Sequence, residues 1–380
     1  MDNTNEHDLL IIDTVRRACS QTIPPYQNES HYNTIPDELL KALSAIGLAG
    51  LSIPERYGGI EQSPKIISQV FEEIASFDIG PAIFLSVHAM VCGLISRNGT
   101  TKQKEELLPL LASGDKLGAF ALTEPGAGSD VSALSTTATP EGDTYSLNGS
   151  KCYITSAGFA DIYIVFARTT SEDTSGISAF LVSSDTEGLS IGAPEKKMGA
   201  ELSPIASLYF DNAKIPSTAL LGQVNHGFTV ALSGLAGGRV NIAACANGIA
   251  QKALTLAVDH LKTRNQFGQA LANYQGLQFM IADMHQLLEA SRALTHKAAH
   301  TLETEPENKE AIKLTSSTAK CFATDAAMKI TTDAVQLLGG AGYMREYRVE
   351  GLMRDAKMLQ IVEGANQIQR MIIARSLLDL

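Results

Sequence analysis

About the first hundred residues carry apolar positions three and four apart, the spacing of one face of an α-helix. After Pro36, the acids Asp37 and Glu38 lead into a stripe that includes Leu39 and Leu43. Proline and acidic residues favour the first turn of a helix, so a helix is predicted to begin here. The same spacing predicts three more helices, over residues 64–77, 80–97 and 101–112. We therefore expect a helical unit over residues 1–117.

Beyond residue 117 the pattern changes to alternation of apolar and polar residues, which is typical of strands. Tyr145 and Leu147 alternate with polar neighbours, and the hairpin dipeptide Asn148-Gly149 predicts a turn directly after them. Short apolar runs predict buried strands at residues 162–166, 177–182 and 206–210. No helix of useful length fits between these strands. A small antiparallel β-barrel or sandwich is therefore expected over residues 118–223.

Helical spacing returns from about residue 224. One helix face is formed by the apolar residues Leu277, Ile281, Met284 and Leu288. A long helix is predicted over residues 309–338, ending at Gly339-Gly340 in a left-handed cap, and a last helix over 365–378. We therefore expect a four-helix bundle over residues 224–380, and an α+β multidomain protein as a whole.

The composition favours packed cores, since 44% of the 380 residues are hydrophobic and 19% are charged. The formal net charge of −11 argues against a nucleic-acid-binding surface, because such surfaces cluster Lys and Arg. No apolar run is expected to reach the roughly 18 to 20 residues that a membrane-spanning helix needs. The polar start, Met1-Asp2-Asn3, is unlike a signal or transit peptide, so we expect a cytoplasmic bacterial protein.

Metal and disulfide chemistry find little support in the sequence. The 5 cysteines are scattered and never form a C-x-x-C pair, so they are interpreted as buried small hydrophobic residues in a reducing compartment. His296 and His300 are four apart, as in a zinc-protease motif, but Lys297 stands where that motif needs Glu. No metal site is predicted.

Residues 120–130, FALTEPGAGSD, form the first candidate binding segment. A strand runs into a Pro-Gly turn, where Gly126 and Gly128 leave backbone N–H groups and hydroxyls exposed. Such a loop can wrap a phosphate or a planar polar ring. A plain strand-to-turn connection remains an equal alternative. The dinucleotide fingerprint is not met, because Val131 stands at its last position and no helix is predicted after it.

Glu363 is the acid of a second candidate segment. It stands between the apolar pair Ile361-Val362 and the start of the last predicted helix. The alternative is that it only stabilises that helix N-terminus, an effect of about 0.3–1 kcal/mol. Burial beside apolar groups raises the pKa of a carboxyl, so we expect burial to win and to give a base near neutrality.

Taken together, these segments resemble the acyl-CoA dehydrogenase family. Residues 122–130 and Glu363-Gly364 are similar to its two signatures. Residues 264–268 (RNQFG) and 336–340 (QLLGG) resemble its flavin-contacting stretches, and 51–59 (LSIPERYGG) its N-terminal domain. The resemblance spans nearly the whole chain in the right order, and it implies the acyl-CoA dehydrogenase fold.

The resemblance implies α,β-dehydrogenation of an acyl-CoA thioester with FAD as cofactor. Glu363 would take the α-proton while the β-hydrogen leaves as hydride to the flavin. The thioester carbonyl would accept hydrogen bonds from the Glu363 N–H and from the flavin ribityl chain. Some branched-chain relatives carry the base on the helix that here contains Arg239, but residues 235–240 include no acid.

The resemblance also assigns binding residues. FAD would contact Phe120, Leu122, Thr123, Gly128, Ser129, Tyr153, Thr155 and Gln367. The adenine-diphosphate part of FAD bound to a neighbouring subunit would contact Arg264, Phe267, Gln275, Gln336 and Gly340. The acyl-CoA would contact Ser129, Arg239, Val362 and Gly364. Sharing of FAD implies a homotetramer, and the implied electron acceptor is an electron-transfer flavoprotein.

The substrate is left open between branched and straight short chains. Residues 234–242 and 374–378 look closest to isobutyryl-CoA dehydrogenases, and Val362 replaces the Tyr that many members carry before the base. A smaller residue leaves room for an α-methyl branch, so isobutyryl-CoA is favoured over butyryl-CoA. Ala236, Ala365 and Tyr153 also depart from common family residues, which leaves details of the CoA and FAD contacts open. A flavin oxidase or a nucleic-acid-binding relative are weaker alternatives.

Overall fold

The computed structural model describes residues 6–27, 31–170 and 176–380. Its first part is helical, as predicted. The helices are α1 (Glu6–Thr22), α2 (Asp37–Ala45), α3 (Pro64–Phe77), α4 (Ile79–Asn98) and α5 (Thr101–Ala112). Side chains cap three of them at the N-terminus, because Ser63, Asp78 and Thr100 each accept a hydrogen bond from a backbone N–H of the following turn. The predicted helices over 64–77, 80–97 and 101–112 are confirmed to within a residue at each end.

The central helix α4 corrects one prediction. In the described part of the chain, α4 and a second helix, Gly227–Thr263, are long and apolar enough to cross a membrane. The expectation that no apolar run reaches this length was therefore wrong. The window in α4 is 89% buried inside the protein, as expected of a helix that other elements surround. Its apolar character is explained by that burial.

The middle part of the chain forms a sheet. Its strands are β1 (Gly118–Ala121), β2 (Thr137–Glu141), β3 (Thr144–Thr155), β4 (Ile162–Arg168), β5 (Ile177–Ser183), β6 (Leu189–Ile191) and β7 (Ile205–Pro216). Among the described residues they pair in the order β1-β4-β2-β3-β7-β6, with β5 also on β4. Most pairs are antiparallel, whereas β4 runs parallel to β1 and meets β2 in parallel at one position. The predicted β unit is confirmed.

The predicted turn at Asn148-Gly149 was wrong. Strand β3 continues through it, and the chain reverses earlier, between β2 and β3, where Gly142 has φ +62°. Gly149 has φ +140°, and the register against β7 shifts between Leu147 and Gly149. A Cβ on Gly149 would lie 2.7 Å from the Cα of Thr136. The glycine therefore serves a bulge and a close backbone approach.

The last part of the chain is a helical bundle. Its elements are α6 (Gly227–Thr263), β8 (Asn265–Gln266), β9 (Gln269–Ala270), α7 (Gln275–Thr304), α8 (Lys309–Leu338), α9 (Val349–Leu359) and α10 (Asn366–Leu377). The predicted helix over 309–338 is confirmed, but its cap is not left-handed, since Gly339 has φ 61° and ψ −133°. A 3₁₀ helix, Gly339–Tyr343, continues the chain there instead.

One hydrophobic core joins both helical parts. It runs from Phe71 on α3 and Phe84 on α4 to Ile249 on α6 and Ile330 on α8, all of them buried. A second cluster joins α4 to the sheet through Met90, and it includes Leu122 after β1. The helical parts and the sheet thus pack together at the junction of α4, α6 and the end of β1. The domain borders after residues 117 and 223 stay predictions.

Candidate active site

Glu363 lies in the tight turn of residues 360–366 that joins α9 to α10, called here the Glu363 turn. Glu363 has φ +56° and Gly364 has φ +90°. The left-handed region is unfavourable for a residue with a side chain, and such a residue persists only where its surroundings hold it. The Asn366 N–H donates to the Gln360 carbonyl at 3.0 Å and closes the turn.

Three long side chains hold the two carbonyls at the centre of the turn. The Glu363 carbonyl accepts from Arg239 Nε at 3.3 Å and from Gln369 Nε2 at 3.2 Å. The Gly364 carbonyl accepts from the same Gln369 Nε2 at 2.8 Å and from Lys320 Nζ at 3.0 Å. These bonds come from α6, α8 and α10, so the backbone at Glu363 is fixed from three helices.

The Glu363 carboxyl projects onto α6 at a glycine. A Cβ on Gly238 would lie 2.9 Å from Glu363 Oε2 and 2.8 Å from Met90 Cε. Any larger residue at this position would therefore displace both the carboxyl and Met90. Glu363 Oε2 is buried and has no hydrogen-bond partner in the described part of the chain. An unpaired buried carboxyl oxygen is unfavourable, and such an exception calls for a functional explanation.

Burial raises the pKa of Glu363 to about 7, while the positive charges of Arg239 and Lys320 act to lower it. The residue as a whole is partly exposed, but the burial that matters here is that of its carboxyl group. The direction agrees with the expectation that burial would outweigh the helix N-terminus. A carboxyl with a pKa near 7 is half ionised at neutral pH and can both take and return a proton.

Residues 122–130, called here the glycine loop, follow β1. Glu124 and Ala127 exchange two backbone hydrogen bonds of 3.1 Å, which makes a tight reversal. Gly126, Gly128 and Ser129 lie exposed at its tip. Apart from the adjoining residues of the chain, the described part of the protein places no atom within 4 Å of the positions that a Cβ would take on the two glycines. The open space beside exposed backbone groups fits a flat polar ligand such as a flavin ring or its phosphates.

A buried ion pair supports the glycine loop from behind. Lys151 Nζ lies 2.7 Å from Glu124 Oε1 and donates to the Leu122 carbonyl at 3.1 Å, and both charged side chains are almost fully buried. The Glu124 carboxylate also accepts from the N–H groups of Ser135 and Thr136. Burial acts to raise the pKa of Glu124, but Lys151 and these hydrogen bonds outweigh it and hold the pKa at about 2.

The remaining predicted flavin contacts differ in exposure. Tyr153 is 66% exposed and has φ +57°, so its ring points out of the sheet surface. Thr123, Thr155 and Phe120 are half-buried, and the Phe120 ring packs 4.9 Å from that of Phe166. Leu122 is buried, and its carbonyl is held by Lys151. Gln367 is exposed on the first turn of α10.

The glycine loop and the Glu363 turn meet through α4 and α6. Met90 contacts the space beside Glu363 Oε2 and belongs to the same buried cluster as Leu122 and Ala127. Arg239, Val362 and Gly364, the predicted acyl-CoA contacts, lie at the Glu363 turn, whereas Ser129 lies on the loop. The structure thus brings both predicted segments to one region.

The residues predicted to serve a neighbouring subunit lie elsewhere on the surface. They are the exposed residues Arg264, Phe267, Gln275, Gln336 and Gly340. Phe267 is 95% exposed at the tip of the β8–β9 hairpin, with φ +50°. Within the described ranges, His, Cys, Asp and Glu side chains do not gather in groups of three or more that would hold a metal ion. All five cysteines are buried.

Sequence reasoning missed four residues of this region: Gly238, Lys320 and the pair Glu124 and Lys151. Two of them left a signal in the sequence. Lys151 continues the alternation of Tyr145 and Leu147, which places it on the inward face of β3. Lys320 falls on the helical stripe of small buried residues that includes Ser316, Ala323 and Ala327. A charge on an inward face indicates a buried partner.

Comparison with known proteins identifies relatives over the full length. Models of the acyl-CoA dehydrogenase N-terminal, middle and C-terminal domains match residues 4–115, 119–213 and 225–378. An acyl-CoA dehydrogenase of Bacillus subtilis is 47% identical over 90% of each chain. A mitochondrial isobutyryl-CoA dehydrogenase of Dictyostelium discoideum is 41% identical over 90% of this chain and 82% of its own.

Solved structures agree with these sequence relatives. The butyryl-CoA dehydrogenase of Megasphaera elsdenii superposes with a TM-score of 0.95 at 40% identity, covering 100% of both chains. A second match is a chain from the structure of the electron transferring flavoprotein of Acidaminococcus fermentans. It superposes with a TM-score of 0.95 at 41% identity, covering 100% of both chains. The fold and the order of the three regions are therefore shared along the whole chain.

Proposed function

The chain belongs to the acyl-CoA dehydrogenase family, an oxidoreductase family acting on CH–CH bonds, and from this we propose that it oxidises a short acyl-CoA with Glu363 as the catalytic base. The observation that carries the proposal is the Glu363 carboxyl itself. Its Oε2 is buried beside Gly238 and lacks a hydrogen-bond partner in the described residues, and burial raises the pKa of the carboxyl to about 7. These properties suit a general base that removes a proton from carbon.

FAD is the cofactor that family membership implies. When bound, it supplies the acceptor for the hydride that leaves the β-carbon. We place it against the exposed tip of the glycine loop, where Thr123, Ser129 and Tyr153 offer polar groups beside open space. The buried Glu124–Lys151 pair holds this loop in shape, so the donors are fixed before the cofactor arrives.

Glu363 removes the α-proton of the bound thioester in this proposal. The proton goes to the Glu363 carboxylate, and negative charge develops on the thioester carbonyl oxygen. We place the Glu363 N–H at that oxygen, because Arg239, Gln369 and Lys320 hold the two carbonyls that directly follow it, those of Glu363 and Gly364. A fixed N–H needs no reorganisation as the charge develops, which lowers the barrier.

We infer the substrate class from Val362. This half-buried residue precedes the base and is smaller than the Tyr found there in many relatives, so an α-methyl group has room beside the α-carbon. We favour isobutyryl-CoA for this reason. Relatives of both kinds have similar identity, 41% for an isobutyryl-CoA dehydrogenase and 42% for a short-chain-specific enzyme, so butyryl-CoA is the second candidate.

An anaerobic titration tests the proposal. The purified protein, loaded with FAD, is mixed with isobutyryl-CoA or butyryl-CoA, and the flavin absorbance is followed. We expect bleaching by a short acyl-CoA and a higher kcat/KM for isobutyryl-CoA. A strong preference for butyryl-CoA would move the substrate to the straight-chain class. Absence of bleaching by every short acyl-CoA would contradict the proposed function.

We further propose a homotetramer that passes electrons to an electron-transfer flavoprotein. The tetramer is supported by the exposed flavin-contacting stretch with Phe267 at its tip, which a second subunit would cover. The acceptor is supported by the similarity to a chain from the Acidaminococcus fermentans structure. A reducing compartment such as the bacterial cytoplasm would suit the five buried thiols.

A further inference from the structure

Lys320 is a buried cation that the proposed reaction does not use directly. Its side chain is fully buried on α8, with 0% of its surface exposed. A buried ammonium group is unfavourable unless hydrogen bonds and opposite charge compensate it. Burial lowers the pKa of Lys320 to about 8, and the charge of Glu363 is the largest effect in the opposite direction.

The hydrogen bonds of Lys320 go to the Glu363 turn. Nζ donates to the Gly364 carbonyl at 3.0 Å and to Asn366 Oδ1 at 2.9 Å. These acceptors lie one and three residues after Glu363. The ammonium group thus ties the turn to α8 directly beside the catalytic base.

Asn366 extends this contact along α8. Its Nδ2 donates to Thr324 Oγ1 at 2.9 Å and to Asp325 Oδ1 at 2.7 Å. Asp325 Oδ1 also accepts from Gln360 Nε2 at 2.6 Å, at the opposite end of the turn. Side chains of one helix, α8, therefore hydrogen-bond to both ends of the Glu363 turn, and Lys320 is part of this network.

The charges around the base are few. Arg239 on α6 and Lys320 on α8 are the charged groups that act on Glu363, and both favour its carboxylate. Lys320 in turn is influenced by Glu363, Cys321, Arg239 and Asp325. Asp325 is also paired with Arg370 on α10, at 2.5 Å, so its charge is engaged on another side. Glu363 therefore has the largest effect on Lys320 among the charges of the described residues.

We propose that Lys320 is a positioning residue for the catalytic base, which both fixes the Glu363 turn from α8 and keeps the Glu363 carboxylate charged. The proposal rests on the proposed function in one respect, that Glu363 is the base. Removal of the cation has a defined sign. The protonated form of Glu363 gains relative to the carboxylate, so the base titrates at higher pH.

Three variants at one position separate charge from structure. Lys320→Met removes both the charge and the donors, Lys320→Gln keeps a donor without charge, and Lys320→Arg keeps the charge. Lys329→Met is the matched control, because Lys329 lies on the same helix but is exposed and paired with Asp333. Each protein is loaded with FAD and its kcat/KM for the short acyl-CoA is measured from pH 5.5 to 9.

We expect the acid limb of kcat/KM to move up by about one pH unit in the Met and Gln variants. The Arg variant keeps the limb of the wild type even if its rate falls, and Lys329→Met matches the wild type throughout. If Lys320→Met does not fold, the comparison of Gln with Arg decides. An unmoved acid limb in the uncharged variants, with only a lower rate, would overturn the electrostatic role.

Hydrogen–deuterium exchange tests the positioning role without any turnover. Peptides covering the Glu363 turn should exchange at least about tenfold faster in Lys320→Met or Lys320→Gln than in the wild type. In Lys329→Met their exchange rate should equal that of the wild type. Equal protection in all variants would overturn the positioning role. A wild type that oxidises no acyl-CoA would refute the proposed function instead, and the exchange result would still decide whether Lys320 holds the turn.

Discussion

Glu363 combines two unfavourable features in one residue. Its backbone is held at φ +56°, and its carboxyl is buried with one oxygen unpaired in the described part of the chain. Such features persist where the surrounding structure imposes them, and they are concentrated at functional sites. Here Arg239, Lys320 and Gln369 impose them through the carbonyls of the turn. Glu363 therefore lowers the stability of the folded protein, and the same two features hold its carboxyl in place for proton transfer.

The raised pKa of Glu363 predicts a stability effect with a definite sign. A carboxyl whose pKa rises from 4.5 to about 7 on folding favours the folded state only while it is protonated. That contribution is complete below about pH 4.5 and is lost as the pH rises through 7. Glu363→Gln keeps a neutral group at every pH. Chemical denaturation should find the variant more stable than the wild type by about 3 kcal/mol above pH 8.

The comparison of the two proteins isolates Glu363 together with Lys320 and Arg239, the two cations on which its charge acts, because the other titrating residues keep their surroundings in both. Asp355, whose pKa burial raises to about 7, is among them and cancels in the difference. The stability difference should grow as the pH rises from about 4.5 through 7. A difference that does not change with pH would show that the Glu363 carboxyl is not held in a dry environment.

Helix α6 provides the space that the base occupies. Gly238→Ala would place a methyl group 2.9 Å from Glu363 Oε2 and 2.8 Å from Met90 Cε, so the carboxyl must shift. A shift of the base by a fraction of an ångström lowers turnover strongly. We expect kcat/KM to fall at least about tenfold, although alanine is the better helix former.

Gly237→Ala is the matched control for that experiment. Gly237 is the preceding residue of the same helix, and among the described residues no atom outside its own stretch of helix lies within 4 Å of the position of its Cβ. This variant should keep its activity and gain up to about 1 kcal/mol of stability from the higher helix propensity of alanine. Equal activity of the two variants would contradict the assigned role of Gly238.

At the level of elements, local patterns predicted the helices correctly. Single positions that depend on tertiary contacts were predicted less well. The helices over 64–77 and 101–112 follow from spacing and caps that act within one turn. The turn predicted at Asn148-Gly149 was wrong because Gly149 is required by the close approach of Thr136, the residue before β2, and not by a turn. The length of the apolar run in helix α4 was underestimated. Its polar positions are few and small, because a helix that is buried on all sides does not need the amphipathic spacing of a surface helix.

The candidate site shows the same division. Glu363 and the glycine loop could be found from the sequence because each belongs to a continuous motif. Gly238 and Lys320 could not, since their roles depend on contacts with a turn 125 and 43 residues away along the chain, counted to Glu363. Long-range contacts of this kind leave only indirect marks, such as a lysine on an otherwise small and buried helix stripe.

At the scale of the whole molecule, the site lies where all parts of the chain meet. The core that joins α3 and α4 to α6 and α8 carries the Glu363 turn on one side, and the sheet brings the glycine loop to α4. Large aromatic side chains remain exposed elsewhere, among them Phe267 at 95%, Tyr343 at 79% and Phe279 at 60%. Exposed apolar side chains of this size are typical of surfaces that a partner covers.

Phe267→Ser tests the proposed assembly. If a second subunit covers the β8–β9 hairpin and shares FAD with it, loss of this ring should lower both the native mass and the FAD content per chain. Light scattering after size-exclusion chromatography and the flavin-to-protein absorbance ratio measure the two quantities. Leu9→Ser, at a 59% exposed position on α1, is the control. A fully assembled Phe267→Ser variant with complete FAD would contradict the proposed interface.

The central claim concerns the proton that Glu363 removes, and the anaerobic reductive half-reaction of Glu363→Gln tests it most directly. The variant should bind FAD like the wild type, because the glycine loop lies outside the substitution. Its flavin should be reduced by the short acyl-CoA at least about a thousandfold more slowly, since general bases contribute roughly 10²- to 10⁴-fold. Bleaching at a rate close to that of the wild type would show that another group removes the proton.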